Sequence, residues 1–150
     1  KLHTAILSVC RKIYIEAAPV LYASNTFFAD EVLLTALPRL RPWYRPVAVG
    51  ELTGRVRRWH LRLRLDTPAP WPVEKITEAF TGAEELVVQV WQATFMGGVG
   101  AETLRRFEGV RGVRRVSIRD APPGFEGYTA WLEGRMRLPE GDGAEGEEYV

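Results

Sequence analysis

Cysteine, histidine and lysine are all scarce in this chain. The 150 residues hold one cysteine, Cys10, and two histidines, His3 and His60. A lone cysteine excludes an internal disulfide and a cysteine-built zinc cluster. Nucleophilic catalysis of the Ser/Cys–His kind needs a base beside the nucleophile. His3 lies seven residues from Cys10, two helical turns away, and His60 sits in an arginine-rich segment. No apolar run approaches the ~20 residues that span a bilayer, and no signal peptide precedes the first helical pattern. The sequence opens on Lys1 and enters that pattern at once, which reads as a piece of a longer intracellular protein, cytoplasmic or nuclear.

Two further patterns fall short of a site. Gly97-Gly98-Val99-Gly100 lies between a predicted strand and a predicted helix, but it lacks the order of a dinucleotide fingerprint and the Lys-Ser/Thr of a phosphate loop. It reads as a turn. Glu84-Glu85 and Glu147-Glu148 are adjacent pairs whose side chains diverge, so no general acid/base couple is indicated. Catalytic residues, metal and cofactor are therefore not expected, and the chain reads as a binding module and not an enzyme.

What is present is arginine and aromatic residues. Of the 20 basic residues only Lys1, Lys12 and Lys75 are lysine, and five Trp, five Tyr and six Phe accompany them. The net charge of +1 hides an asymmetry, because Glu140, Asp142, Glu145, Glu147 and Glu148 crowd the C-terminus. Arginine forms planar forked hydrogen bonds and stacks on rings, which suits an interface.

Along the chain, Ile6, Cys10, Ile13, Ala17 and Leu21 recur at helical spacing over residues 3–24. Pro19 cannot donate its backbone hydrogen bond, so the helix is expected to end near Ala18 with a second short helix opening at Pro19. Residues 25–28 read as a short strand and 31–40 as a helix. Pro42, Pro46, Gly50 and Gly54 make 41–54 a loop. Trp59, Leu61, Leu63 and Leu65 then alternate with His60, Arg62 and Arg64, a half-buried strand. Helices carrying Ile76 and Phe80, then Leu104 and Phe107, alternate with strands centred on Val88 and on Val116–Ile118. A last helix carries Tyr128, Leu132 and Met136. Leu61 to Val88 spans 27 residues and Val88 to Ile118 spans 30, the period of leucine-rich-repeat-like strand–helix units. The expected fold is a single α/β domain over residues 1–138 with a mostly parallel sheet. An N-terminal helical motif (3–28) precedes strand–helix repeats (55–138), and an acidic tail (139–150) without regular structure follows.

The segment Leu7-Ser8-Val9-Cys10-Arg11-Lys12-Ile13-Tyr14-Ile15-Glu16-Ala17-Ala18-Pro19-Val20-Leu21-Tyr22-Ala23-Ser24-Asn25-Thr26-Phe27 resembles one found in an uncharacterised family of filamentous-fungal proteins. Phe107 to Val116 is similar to a later part of the same proteins. In many of them an F-box-like helical segment, not present in these 150 residues, precedes the Cys-Arg helix. The resemblance implies an adaptor that recruits a partner to a ubiquitin ligase, and it carries no catalytic residues. Within the motif, Cys10, Tyr14, Leu21 and Phe27 are expected to be buried, whereas Arg11 and Glu16 each pair elsewhere or cap a neighbouring backbone.

The most specific candidate is a surface. If the leucines of the first strand face the helices, His60, Arg62 and Arg64 face away. The repeat spacing then brings Gln89 and Trp91, and Arg115 and Arg119, onto the same face. Trp and Arg dominate interface hot spots, so another protein is the expected partner, with single-stranded nucleic acid the alternative. Like charges on adjacent strands repel, which an anionic or aromatic partner would relieve.

Overall fold

The computed structural model describes residues 4–37, 54–93, 100–141 and 149. A 3₁₀ turn (Thr4–Ser8) is followed by α1 (Arg11–Ser24), β1 (Thr26–Asp30), α2 (Glu31–Ala36), β2 (Arg58–Arg64), α3 (Val73–Phe80), β3 (Glu85–Trp91), α4 (Gly100–Arg105), β4 (Arg115–Arg119) and α5 (Glu126–Arg137). The strands form one sheet in the order β1-β2-β3-β4, and every pairing is parallel. Sequential parallel neighbours require a crossover between each pair, and right-handed crossovers put the connecting helices on the same side.

Alternation decides which side that is. Trp59, Leu61, Leu63 and Leu65 of β2, Leu86, Val88 and Val90 of β3, and Val116 of β4 are buried. They share one core with Ile76 and Phe80 of α3, Leu104 and Phe107 at α4, and Tyr128, Leu132 and Met136 of α5. A file of rings runs through it: Tyr22 on Phe27 at 5.4 Å, Phe27 on Trp59 at 6.2 Å, Trp59 on Phe80 at 5.2 Å, and Phe80 on Phe107 at 5.9 Å. The register pairs Leu61 with Val88 and Val88 with Ile118, so the sequence spacings of 27 and 30 residues correspond to one step across the sheet each. The turns before the strands stack as well, with Glu84 N–H donating to Arg57 C=O at 2.8 Å and Arg115 N–H to Glu84 C=O at 3.0 Å.

Caps place the N-terminal elements. Asn25 Nδ2 donates to Leu21 C=O at 2.8 Å, closing α1, and Asp30 Oδ1 accepts Leu33 N–H at 2.9 Å, opening α2.

Two expectations for this region are corrected. α1 does not end at Ala18 but continues through Pro19. The carbonyl that loses its partner belongs to Ile15, which is exposed together with Pro19, so solvent reaches the break. The motif is also far less buried than its periodicity implies. Cys10 is exposed, Tyr14 is 40% exposed, Leu21 and Phe27 are half-buried, and Ala18 is the buried residue of α1. Among the described residues α1 packs mainly on the preceding 3₁₀ turn, and Tyr22 near its C-terminus packs against the core of the sheet layer. Arg11 and Glu16 are exposed.

The expected loop 41–54 falls almost entirely outside the described residues, as do His3, Gly97, Gly98 and Val99. Of the acidic tail, residues 142–148 and Val150 lie outside them too. Tyr149 is described, and its ring lies against Tyr128 and Trp131 at the surface.

Candidate protein-binding face of the sheet

Among the described residues no helix covers the face of the sheet opposite the helical layer, although Val87 in its middle is buried by its neighbours. Register lines up its side chains in rows: Thr26, Arg58, Glu85 and Arg115; then Phe28, His60, Val87 and Ser117; then Asp30, Arg62, Gln89 and Arg119; and finally Arg64 with Trp91. All seven residues singled out from the sequence (His60, Arg62, Arg64, Gln89, Trp91, Arg115 and Arg119) therefore share this surface. Arg62 and Arg119 stand in the same row, with Gln89 of β3 between them.

Trp91 is its aromatic centre. The guanidinium carbons of Arg62 and Arg64 lie 5.4 Å and 5.3 Å from the Trp91 ring centroid, within cation–π range. The ring stays 38% exposed. His60 Nε2 lies 3.3 Å from Gln89 Oε1, and Gln89 Nε2 donates to Asp120 Oδ2 at 2.8 Å. Those bonds fix the Gln89 amide between two neighbouring strands. On the β1 side Phe28, 57% exposed, has its ring 5.7 Å from that of His60.

The surface is not the field of unopposed positive charge that the arginine pattern implies, and this corrects the repulsion argument. Arg64 forks onto Asp66, Nε to Oδ1 at 2.6 Å and Nη2 to Oδ2 at 2.9 Å. That hydrogen bond holds the Arg64 guanidinium above its ordinary pKa. Arg58 bonds Glu84 at 3.2 Å, and Arg115 lies 3.6 Å from both Glu84 and Glu85. The Glu84 carboxyl is held below the usual carboxylate range, first by the Arg58 hydrogen bond and then by the nearby arginine charges. Three arginines of this face, Arg58, Arg64 and Arg115, are thus paired with Asp66, Glu84 and Glu85, whereas Arg62 lies over Trp91 and Arg119 Nε donates to Ser117 Oγ at 3.4 Å. Alternation within strands could find the arginines. The carboxylates of Asp66, Glu84 and Asp120 sit on the turns flanking the strands, where a period of two no longer applies. Phe28 was out of reach because the stretch between β1 and β2 hides which residues of β2 it faces.

β4 lies at an edge of the sheet, and α5 covers that edge with a side-chain pair. Glu133 Oε1 accepts Ile118 N–H at 2.7 Å, Arg137 Nη2 donates to Val116 C=O at 3.0 Å, and the two side chains bridge each other at 3.1 Å. The pair occupies backbone groups of β4 that a fifth strand would use.

Among the described residues no cluster of His, Cys, Asp and Glu is arranged to hold a metal ion, and no helix is long and apolar enough to cross a membrane.

Fold and surface together define a mixed α/β domain with a four-stranded, all-parallel sheet, one face of which is charged and aromatic and covered by no described helix. The chain belongs to the family described as a domain of unknown function (DUF7730), whose model matches residues 1–133. No curated protein and no solved structure matches it.

Proposed function

We propose that this domain is a non-catalytic protein-interaction module that binds its partner across the face of the sheet opposite the helical layer. One observation carries the reading. Parallel sheets almost always have both faces covered, yet here Trp91, Phe28 and the arginines around them stand on the side of an all-parallel sheet that no described helix covers. Trp and Arg in a central, partly desolvated cluster are what hot spots are made of. One-sided layering, strands in sequential order and stacked turns are also the habit of leucine-rich-repeat-like solenoids, whose open sheet face is the binding surface. Together with the resemblance of the Cys10–Phe27 segment, this suggests the substrate-recognition part of an F-box-type ubiquitin-ligase adaptor.

Nucleic acid is the weaker reading. Phosphate binding draws on uncompensated positive charge, and three of the five arginines of this face, Arg58, Arg64 and Arg115, are paired with carboxylates.

The test compares captured proteins for the immobilised wild-type chain, the double variant Arg62→Glu, Trp91→Ala, and Tyr14→Ala as a control at an exposed position of α1. Specific partners should bind wild type and Tyr14→Ala and be lost from the double variant, with its circular dichroism unchanged. Identical capture by all three would refute the reading. Binding of a fluorescent oligonucleotide that weakens steeply with salt would favour nucleic acid instead.

A further inference from the structure

The N-terminal turn of α5 holds an aromatic cluster, on the helical layer and separate from the sheet face. Tyr128 and Trp131 stack at 5.6 Å, and the Tyr149 ring meets them edge-on at 5.3 Å from Tyr128 and tilted at 5.7 Å from Trp131. The floor is Gly127. A Cβ added there would come within 2.5 Å of the Tyr149 hydroxyl oxygen, so the phenol rests where any other residue would put its side chain. Glycine is a poor residue for a helical turn, and this close approach gives it a reason to be there.

The walls are pinned. Tyr128 Oη donates to Glu108 Oε1 at 2.7 Å, Arg135 Nε donates to Glu108 C=O at 3.1 Å, and the Arg135 guanidinium lies 5.3 Å from the Trp131 ring centroid. The slot therefore has two ring walls, a glycine floor and a cation stacked on one wall, while its occupant remains 47% exposed. Tyr149 is held on a surface and not locked in a core.

Chain length permits this docking within one molecule. Gly127 to Arg137 covers about 15 Å of helix, and the eight residues from Gly141 to Tyr149 reach about 27 Å when extended. A tether of this length gives a docked group an effective concentration in the millimolar range. Such a tether lets a weak contact stay occupied within the molecule and compete with any ligand from outside.

We propose that the Gly127–Tyr128–Trp131 slot is a recognition site for an aromatic side chain on an acidic peptide, and that Tyr149, preceded by Glu147 and Glu148, is its tethered competitor. A partner segment bearing Tyr after acidic residues enters when the tail leaves. The Arg135 charge beside the slot favours the acidic flank, and the glycine floor selects a flat ring whose hydroxyl reaches the helix backbone.

The test uses full-length chains and a fluorescein-labelled peptide Gly-Glu-Glu-Tyr-Val, matching residues 146–150, followed by anisotropy. Tyr149→Ala should bind the peptide at least tenfold more tightly than wild type, because the competitor is gone. Adding Gly127→Ala to Tyr149→Ala should weaken that binding at least tenfold without lowering the melting temperature, since alanine favours the helix. A peptide with Ala in place of Tyr should not bind. The proposal is overturned if Tyr149→Ala binds no peptide, if it binds no better than wild type, if Gly127→Ala has no effect, or if the Ala peptide binds equally well.

Discussion

Glu133→Ala tests whether the helix-borne ion pair guards the edge of the sheet. Glu133 does two things at once: one carboxylate oxygen accepts Ile118 N–H at 2.7 Å and the other holds Arg137 Nη2 at 3.1 Å. Removing it strands the Ile118 amide on a half-buried residue. It also frees Arg137, whose own bond to Val116 C=O then has nothing to orient it. A hydrogen bond to a charged group contributes about 1.5–3 kcal/mol. The exposed i,i+4 pair adds only about 0.3–0.5 kcal/mol, so a total near ~2 kcal/mol is expected. At this chain length ~1 kcal/mol moves the melting temperature by about 2–4 °C, and the variant should melt about 4–8 °C lower. The uncovered edge should also show in solution. Sedimentation velocity over a concentration series should reveal self-association absent from wild type, because an unpaired strand edge is a template for another strand. Glu133→Gln keeps an acceptor for Ile118 but not the charge, so it should recover part of the loss. A Glu133→Ala chain as stable and as monomeric as wild type would refute the reasoning.

Two further perturbations use the same chain. Phe80→Ala empties a fully buried site between Trp59 and Phe107 and should cost about 3–5 kcal/mol in urea unfolding. Tyr14→Ala, on the exposed side of α1, should cost less than about 1 kcal/mol; equal losses would contradict the burial described for both. As for pH, the Glu84 carboxyl titrates lower in the folded chain than in the unfolded one, so the unfolded state binds its proton first. The stability from its pairing with Arg58 and Arg115 is present above roughly pH 4 and is lost as pH falls through the depressed folded value. Acid unfolding of Glu84→Gln should therefore show a shallower dependence on pH in that window than wild type does, and superimposable profiles would exclude this role.

Alternation and spacing, both local properties of the sequence, determined a good deal. The period of two in Trp59–Leu65 puts Arg62 and Arg64 on one face because successive strand residues point oppositely. The intervals to Val88 and Ile118 made those strands parallel neighbours because each is long enough for one helix and two turns. The surface shared by His60, Arg62, Gln89 and Arg119 follows from those two facts alone. Only the tertiary structure decided what covers each surface. A helical period identifies the apolar face of α1 but says nothing of a partner for it, and Tyr14 remains exposed. Charge balance on the sheet was hidden for the same reason. Asp66 and Glu84 reach the arginines, and Asp120 reaches Gln89, from turns whose direction depends on the folded chain. Tyr149 shows the point most plainly: nothing in an acidic, glycine-rich tail marks its last tyrosine, and its place depends on Gly127, 22 residues earlier, leaving room for a ring.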